Sequence, residues 1–128
     1  KLAWRDVIAP AIALAEQGFA ISPRLNGLLS GETALKSDPR AASYFYEPDG
    51  KAKAVGTVLK NPAFAATLRA LAERGANAFY EGPIAQDIVA TVTGHASNPG
   101  DMTLADFAGY RVVERAPVCG AYRVWRIC

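Results

Sequence analysis

Through the first three-quarters of the chain apolar residues recur at spacings of three and four, the period of a helix that buries one face. Trp4, Ile8, Ala11, Ile12 and Ala15 form one such stripe, closed by Gly18. It predicts a helix over about 3–17, which Pro10 should kink or delay. Leu25, Leu28 and Leu29 mark a short helix over 23–30, and Ala41 to Tyr46 belong to another over 39–46. Phe64, Leu68 and Leu71 fall at i, i+4 and i+7 after Pro62, so a helix is predicted over 62–74, with Leu68 and Leu71 as core residues. Ile84, Ile88 and Val92 keep the same spacing after Pro83 and predict a helix over 83–96. Thr103 to Asp106 has the Thr-x-x-Asp form of an N-capping pattern, opening a helix over 104–109.

The starts of these segments are written in dipeptides. Ser22-Pro23, Asp38-Pro39 and Asn61-Pro62 each set a side-chain oxygen before a proline, which suits the first helical position because its missing N–H would be unpaired there. Gly82-Pro83 is the weakest of the four such pairs. Glu47-Pro48-Asp49-Gly50 reads as a tight turn, and Lys51 to Lys60 as a partly extended connector. After Tyr110 the pattern changes. Residues 111–116 and 121–128 are rich in β-branched and aromatic side chains and are separated by Pro117 and Gly120, which predicts a β-hairpin. The fold class is therefore mostly α with a C-terminal β-hairpin. Two strands alone are marginal in water, so they should lie on the helices or belong to a sheet completed elsewhere. Strand 121–128 then presents an open edge through which the fragment could self-associate.

With 128 residues, 51% of them apolar, the chain has the size of one domain. The formal charge is only +2, and its 14 basic residues are spread from Lys1 to Arg126, which gives no electrostatic footprint for nucleic acid or an acidic membrane. No apolar run approaches the ~20 residues of a membrane span. The chain opens without Met in a helical segment and stops at Cys128 inside a strand-like run, so both ends read as cut. If 121–128 is one strand, Cys119 and Cys128 lie roughly 30 Å apart, against the ~6 Å between Cα atoms that a disulfide tolerates. Free thiols are expected, and the redox compartment stays open.

Candidate chemistry is sparse. His95, the single histidine, extends the Ile84, Ile88, Val92 face. A general base there would need a nucleophile and an orienting group beside it, which the neighbouring sequence does not offer, so a helix-end histidine half packed and half solvated is the preferred reading. One His and two distant Cys cannot close a four-ligand metal site unaided. Asp101, Asp106 and Glu114 are the nearest approach to a carboxylate cluster, but Asp106 is placed for capping, and Glu114 should alternate outward on a strand between Arg111 and Arg115. The stretch Gly94 to Gly100 lacks the Lys-Ser or Lys-Thr of a phosphate loop. Ser22, Ser30, Ser37, Ser43 and Ser97 have no motif around them. Phe79-Tyr80 reads as a packing plug between two helices before it reads as a ligand-stacking pair. No catalytic, cofactor-binding or metal residue is assigned, and no cofactor is expected.

Several segments, taken in order, resemble the large subunit of gamma-glutamyltranspeptidases, which are N-terminal-nucleophile hydrolases. They are Trp4 with Ala9-Pro10-Ala11 and Leu14-Ala15-Glu16, then Gly18-Phe19, Ser22-Pro23-Arg24-Leu25, Gly50 and Val55-Gly56. Pro62 with Leu68 to Gly75, Ala78-Phe79-Tyr80-Glu81-Gly82, Met102 to Tyr110, Pro117 and Tyr122-Arg123 complete the match. The Phe79-Tyr80-x-Gly82 element followed at this distance by Thr103 to Tyr110 is the most specific part. Pro99-Gly100 stands where two glycines are common, Val124 where a glycine often follows Tyr-Arg, and Cys119 and Cys128 are not family features.

The resemblance implies a parent enzyme that cleaves gamma-glutamyl amides such as glutathione and passes the acyl group to water or an amine. Its nucleophile would be the N-terminal threonine of a small subunit released by self-cleavage, with that residue's own α-amine as base. On this alignment that threonine and the oxyanion groups lie beyond Cys128, and the substrate-gripping arginine lies before Lys1. The chain would then be the helical part of a larger αββα fold, non-catalytic by itself. Its partners would be the remainder of the parent with its small subunit, and a glutathione-like substrate only in the intact enzyme. Bacterial members imply a periplasmic or secreted location. The competing reading is a non-enzymatic helical binding or assembly module.

Overall fold

In the computed structural model, which describes residues 1–128, three of the proline-led helices begin where a side chain takes up a free amide. The Ser22 hydroxyl accepts from Leu25 N–H (3.1 Å), the Asp38 carboxylate from Arg40 and Ala41 (2.8 and 2.9 Å), and the Asn61 side chain from Phe64 (2.9 Å). Each of these bonds satisfies a donor that a helix start would otherwise leave unpaired. Gly82 caps nothing with a side chain, but its φ of 78° sets the turn into the helix that follows. The chain divides into two compact units, Lys1–Phe79 and Tyr80–Cys128.

In the first unit α1 (Trp4–Gln17) packs along α4 (Pro62–Arg74). Pro10 does not break α1, which is continuous through it. The two helices are tied at both ends: the Trp4 indole N–H donates to the Leu71 carbonyl (2.9 Å), and Asn61 N–H donates to Ala15 O (2.7 Å). Arg69 pairs with Glu16 between them. Between the helices in sequence lie β1 (Phe19–Ala20), α2 (Pro23–Gly31), a 3₁₀ turn (Ala34–Ser37), α3 (Pro39–Phe45) and β2 (Val58–Leu59). β1 and β2 pair antiparallel, Phe19 with Leu59 and Ala20 with Val58. Gly18 precedes them at φ 91°, where a Cβ would stand 2.5 Å from Val58 Cγ1 and 2.7 Å from Leu59 O, so only glycine lets α1 turn into this ribbon.

The core of this unit is Ile21, Leu29, Tyr46, Leu59, Ala65 and Ala78. Tyr46 is sealed with its hydroxyl donating to Leu29 O (2.9 Å), which satisfies the one polar group that its burial would strand. Leu68 and Leu71, expected in the core, are half-buried, and Phe64 is 52% exposed. The sealed residue of α4 is Ala65, a small side chain with no solvent exposure.

The second unit holds α6 (Pro83–Thr93), α7 (Leu104–Gly109) and a hairpin, with the short α5 (Asn77–Tyr80) spanning the boundary. Thr103 and Asp106 form a full capping box at the start of α7. Tyr80 stacks on Tyr110 with ring centroids 5.6 Å apart and meets Phe107 edge-on. α6 stops at Thr93 and does not reach 96, because Gly100 N–H donates to Val92 O (3.0 Å), the acceptor that a helical Ala96 would need. His95 therefore lies past the helix, exposed, and does not continue its apolar face.

The hairpin is present but shifted. Residues 111–116 form no strand, since no neighbour pairs with them, and Glu114 is exposed there without the strand expected for it. The strands are β3 (Gly120–Tyr122) and β4 (Trp125–Ile127), joined by the two-residue turn Arg123-Val124 and paired Gly120 with Ile127, Ala121 with Arg126 and Tyr122 with Trp125. Continuing that register one step outward pairs Cys119 with Cys128. Their Cα atoms are 4.1 Å apart and the sulfurs are bonded. This overturns the expected free thiols. The 30 Å separation assumed one unbroken strand, and the turn at Arg123 folds it in half.

Candidate functional site

The hydroxyl groups that a nucleophile search would begin with are engaged locally. Ser30 donates to Asn26 O, Ser37 to Ala34 O and Ser43 to Arg40 O, at 2.7–2.9 Å, while Ser22 caps α2. These are the bonds by which helical serines satisfy themselves on the preceding turn. Ser97 is the one serine near a base: its Oγ lies 3.5 Å from His95 Nδ1. That distance is long for a hydroxyl bond, and Nδ1 already accepts the Asn98 N–H at 3.1 Å, which folds the loop after α6 around the imidazole. No carboxylate contact orients the ring in this exposed loop.

The three candidate carboxylates, Asp101, Asp106 and Glu114, are each exposed and form no cluster that could hold a metal ion. Asp106 takes both the N–H and the hydroxyl of Thr103 (2.7 and 2.8 Å), and these hold its carboxyl below the ordinary value, the amide first. Asp38 is lowered chiefly by the Ala41 N–H, and Asp49 by the Lys51 side chain and then its amide. Each of these shifts comes from a capping or turn bond. No group of three or more His, Cys, Asp or Glu side chains is placed to hold a metal ion.

Two features of the structure have no counterpart among the features predicted from the sequence. One is a cleft of about 580 Å³ around Lys36, Ser43, Tyr46, Glu47 and Lys53. Lys53 is committed there, donating to the Ser43 and Tyr44 carbonyls (2.9 and 2.8 Å) at the end of α3, and Lys36 lies over the Tyr46 ring. The other is the disulfide, bordering a cleft of about 340 Å³ that Cys119 lines together with Arg123, Trp125 and Arg126. Its signal in the sequence was the even spacing of both cysteines about Arg123-Val124, which only a turn there converts into contact.

The family model of gamma-glutamyltranspeptidase matches residues 1–128, the whole chain. The chain belongs to the gamma-glutamyltranspeptidase family. It is 34% identical over 123 residues to the acylase ACY 1 proenzyme of a Pseudomonas species, covering 95% of this chain and 21% of that protein. To the glutathione hydrolase proenzyme of Arthroderma benhamiae it is 34% identical over 126 residues, covering 96% and 21%. The crystal structure of Helicobacter pylori gamma-glutamyltranspeptidase superposes with a TM-score of 0.85 at 32% identity, over 99% of this chain and 36% of that one. The chain thus spans about a fifth of the length of these two sequence relatives. Its mostly helical fold with a C-terminal antiparallel strand pair is that of a stretch of these N-terminal-nucleophile hydrolases.

Proposed function

We propose that this chain is the helical, non-catalytic part of a glutathione hydrolase or gamma-glutamyltransferase. The observation that carries the reading is the end-to-end match to the family over a chain one-fifth the length of its relatives, in which no hydroxyl is paired with an oriented base. The reaction then belongs to a threonine that opens a small subunit of the same enzyme. Its hydroxyl attacks the gamma-carbonyl of the substrate, and its own α-amine takes the proton and returns it to the departing amine. Water or an acceptor amine then removes the glutamyl group. This chain's part is to hold the scaffold around that centre.

Surface area supports the same reading. The chain exposes 9929 Å² at 13.6 kDa. A self-contained globular protein of that mass exposes roughly 6,600 Å², and two separate globules sharing it roughly 7,900 Å². Part of the excess is apolar: Leu2, Val112, Val113, Val118 and Val124 are each more than two-thirds exposed. The partners that would cover such residues are the rest of the enzyme and its small subunit. No helix is long and apolar enough to cross a membrane, and a disulfide fits the oxidising conditions of a periplasmic or secreted protein.

The purified chain should release no chromophore from a gamma-glutamyl anilide above the buffer blank. Turnover that survives repurification and vanishes in His95→Ala would overturn the proposal.

A further inference from the structure

The loop after α6 closes back on the helix it leaves. Gly94 N–H donates to Ala90 O (2.9 Å) and Gly100 N–H to Val92 O (3.0 Å), so two carbonyls of the last turn are satisfied from beyond the helix. Gly100 comes so near that a Cβ there would stand 2.6 Å from Val92 Cγ1. Between these two anchors the side chain that spans the loop is His95, whose Nδ1 accepts the Asn98 N–H at 3.1 Å. Ser97 Oγ lies 3.5 Å from the same nitrogen, too far to take over that bond without a shift of the loop. The chain then runs on to the Thr103–Asp106 box that opens α7. All the bonds of the loop join residues within 90–100, inside the second unit.

We infer that His95 is a proton-operated latch on the loop between α6 and α7, closed when its imidazole is neutral and open when it is charged. A ring nitrogen that accepts a hydrogen bond carries no hydrogen, so in the closed loop the imidazole is neutral, with its one hydrogen on Nε2. A second proton fills Nδ1, and two N–H groups then point at each other where a bond had been. The Asn98 amide loses its acceptor. Imidazoles take up that proton at about pH 5 to 8, an interval in which ordinary carboxylates and amines keep their charge. Because the Asn98 bond needs the neutral ring, the loop is closed at the upper end of this interval and is released as pH falls through it. The charged groups on the flanking elements are Asp87 on α6, Asp101 between the helices, Asp106 on α7 and Arg111 after it. None forms an ion pair with the ring. Asp106 is engaged by Thr103, which holds its carboxyl below the ordinary value, and Arg111 donates to the Ala108 and Tyr110 carbonyls. The latch acts on the order of the loop and cleaves nothing, so it stands apart from the proposed enzymatic role.

The test follows amide exchange at single-residue resolution in the uninterrupted enzyme at about pH 8 and about pH 5, each rate being divided by that of an unstructured peptide at the same pH. Protection of the Asn98 N–H should fall severalfold at the lower pH, while the amides of α4 keep theirs. His95→Asn puts a side-chain oxygen close to the place of Nδ1, where it can accept the same N–H but takes up no proton, so its loop should stay protected at both values. His95→Phe offers no acceptor and should leave the Asn98 amide in fast exchange at both. Asn98 protection that does not change with pH in the parent enzyme would overturn the inference. An equal loss across α4 would overturn it too, since the opening would then be part of a general loosening. So would the parent's pH response persisting in His95→Asn, or an Asn98 amide as protected in His95→Phe as in the parent at the higher pH.

Discussion

Asp106 is a fully solvated carboxylate that nevertheless fixes the start of a helix, because two donors of Thr103 converge on one oxygen. Both bonds need the charged form, so the folded-state pKa lies below the ordinary 3.8. A group lowered in this way stabilises the fold fully above its unfolded value and loses that contribution as pH falls through the folded value. The Thr103 amide and Asp106 carboxyl resonances should therefore titrate together in NMR, with a midpoint below 3.8. A midpoint at or above that value would show that the box is not formed in solution. This residue was legible in sequence, as were Ser22, Asp38 and Asn61, because a cap is a local bond between positions a few residues apart. Arg123 was not. Nothing in Tyr122-Arg123-Val124-Trp125 carries the glycine or asparagine that usually announces a two-residue turn, so the strand was read straight through it, and the cysteine pairing was lost with it.

At the scale of elements, periodicity identified the helical stripes, but it ranks residues by hydrophobicity where packing ranks them by fit. On α4 it chose Phe64, Leu68 and Leu71, whereas the position sealed from water is Ala65. Substituting Ala65→Leu should cost about 1–3 kcal/mol by forcing added methylenes into the closed core of this unit. Leu68→Ala should fall below the roughly 2–5 kcal/mol of a fully buried leucine, since its side chain is already partly in water. Denaturant midpoints of the two variants beside the parent chain check this. A larger loss for Leu68→Ala than for Ala65→Leu would return the core to the leucine face. The two other departures, the early end of α6 and the missing strand at 111–116, share one cause: both were decided by hydrogen bonds that hydrophobic periodicity does not register. Gly100 takes the carbonyl that would prolong α6, and β3 and β4 find each other and leave 111–116 without a neighbour.

At the scale of the whole molecule, the order of short matched segments was the most informative property of the sequence, and it pointed to the family that the comparisons show. The exposed apolar side chains and the excess surface give the proposed role a physical consequence: in the intact enzyme these residues should be covered. On the proposed reading this chain supports a reaction carried out by a threonine elsewhere in the enzyme. The most direct measurement compares gamma-glutamyl transfer by the uninterrupted enzyme in two variants. One replaces the threonine that opens its small subunit with alanine, and the other carries His95→Ala within Lys1–Cys128. The first should abolish turnover, and the second should leave kcat/KM within about twofold of the parent. Turnover retained without the threonine, or lost with His95→Ala in a correctly processed enzyme, would contradict it.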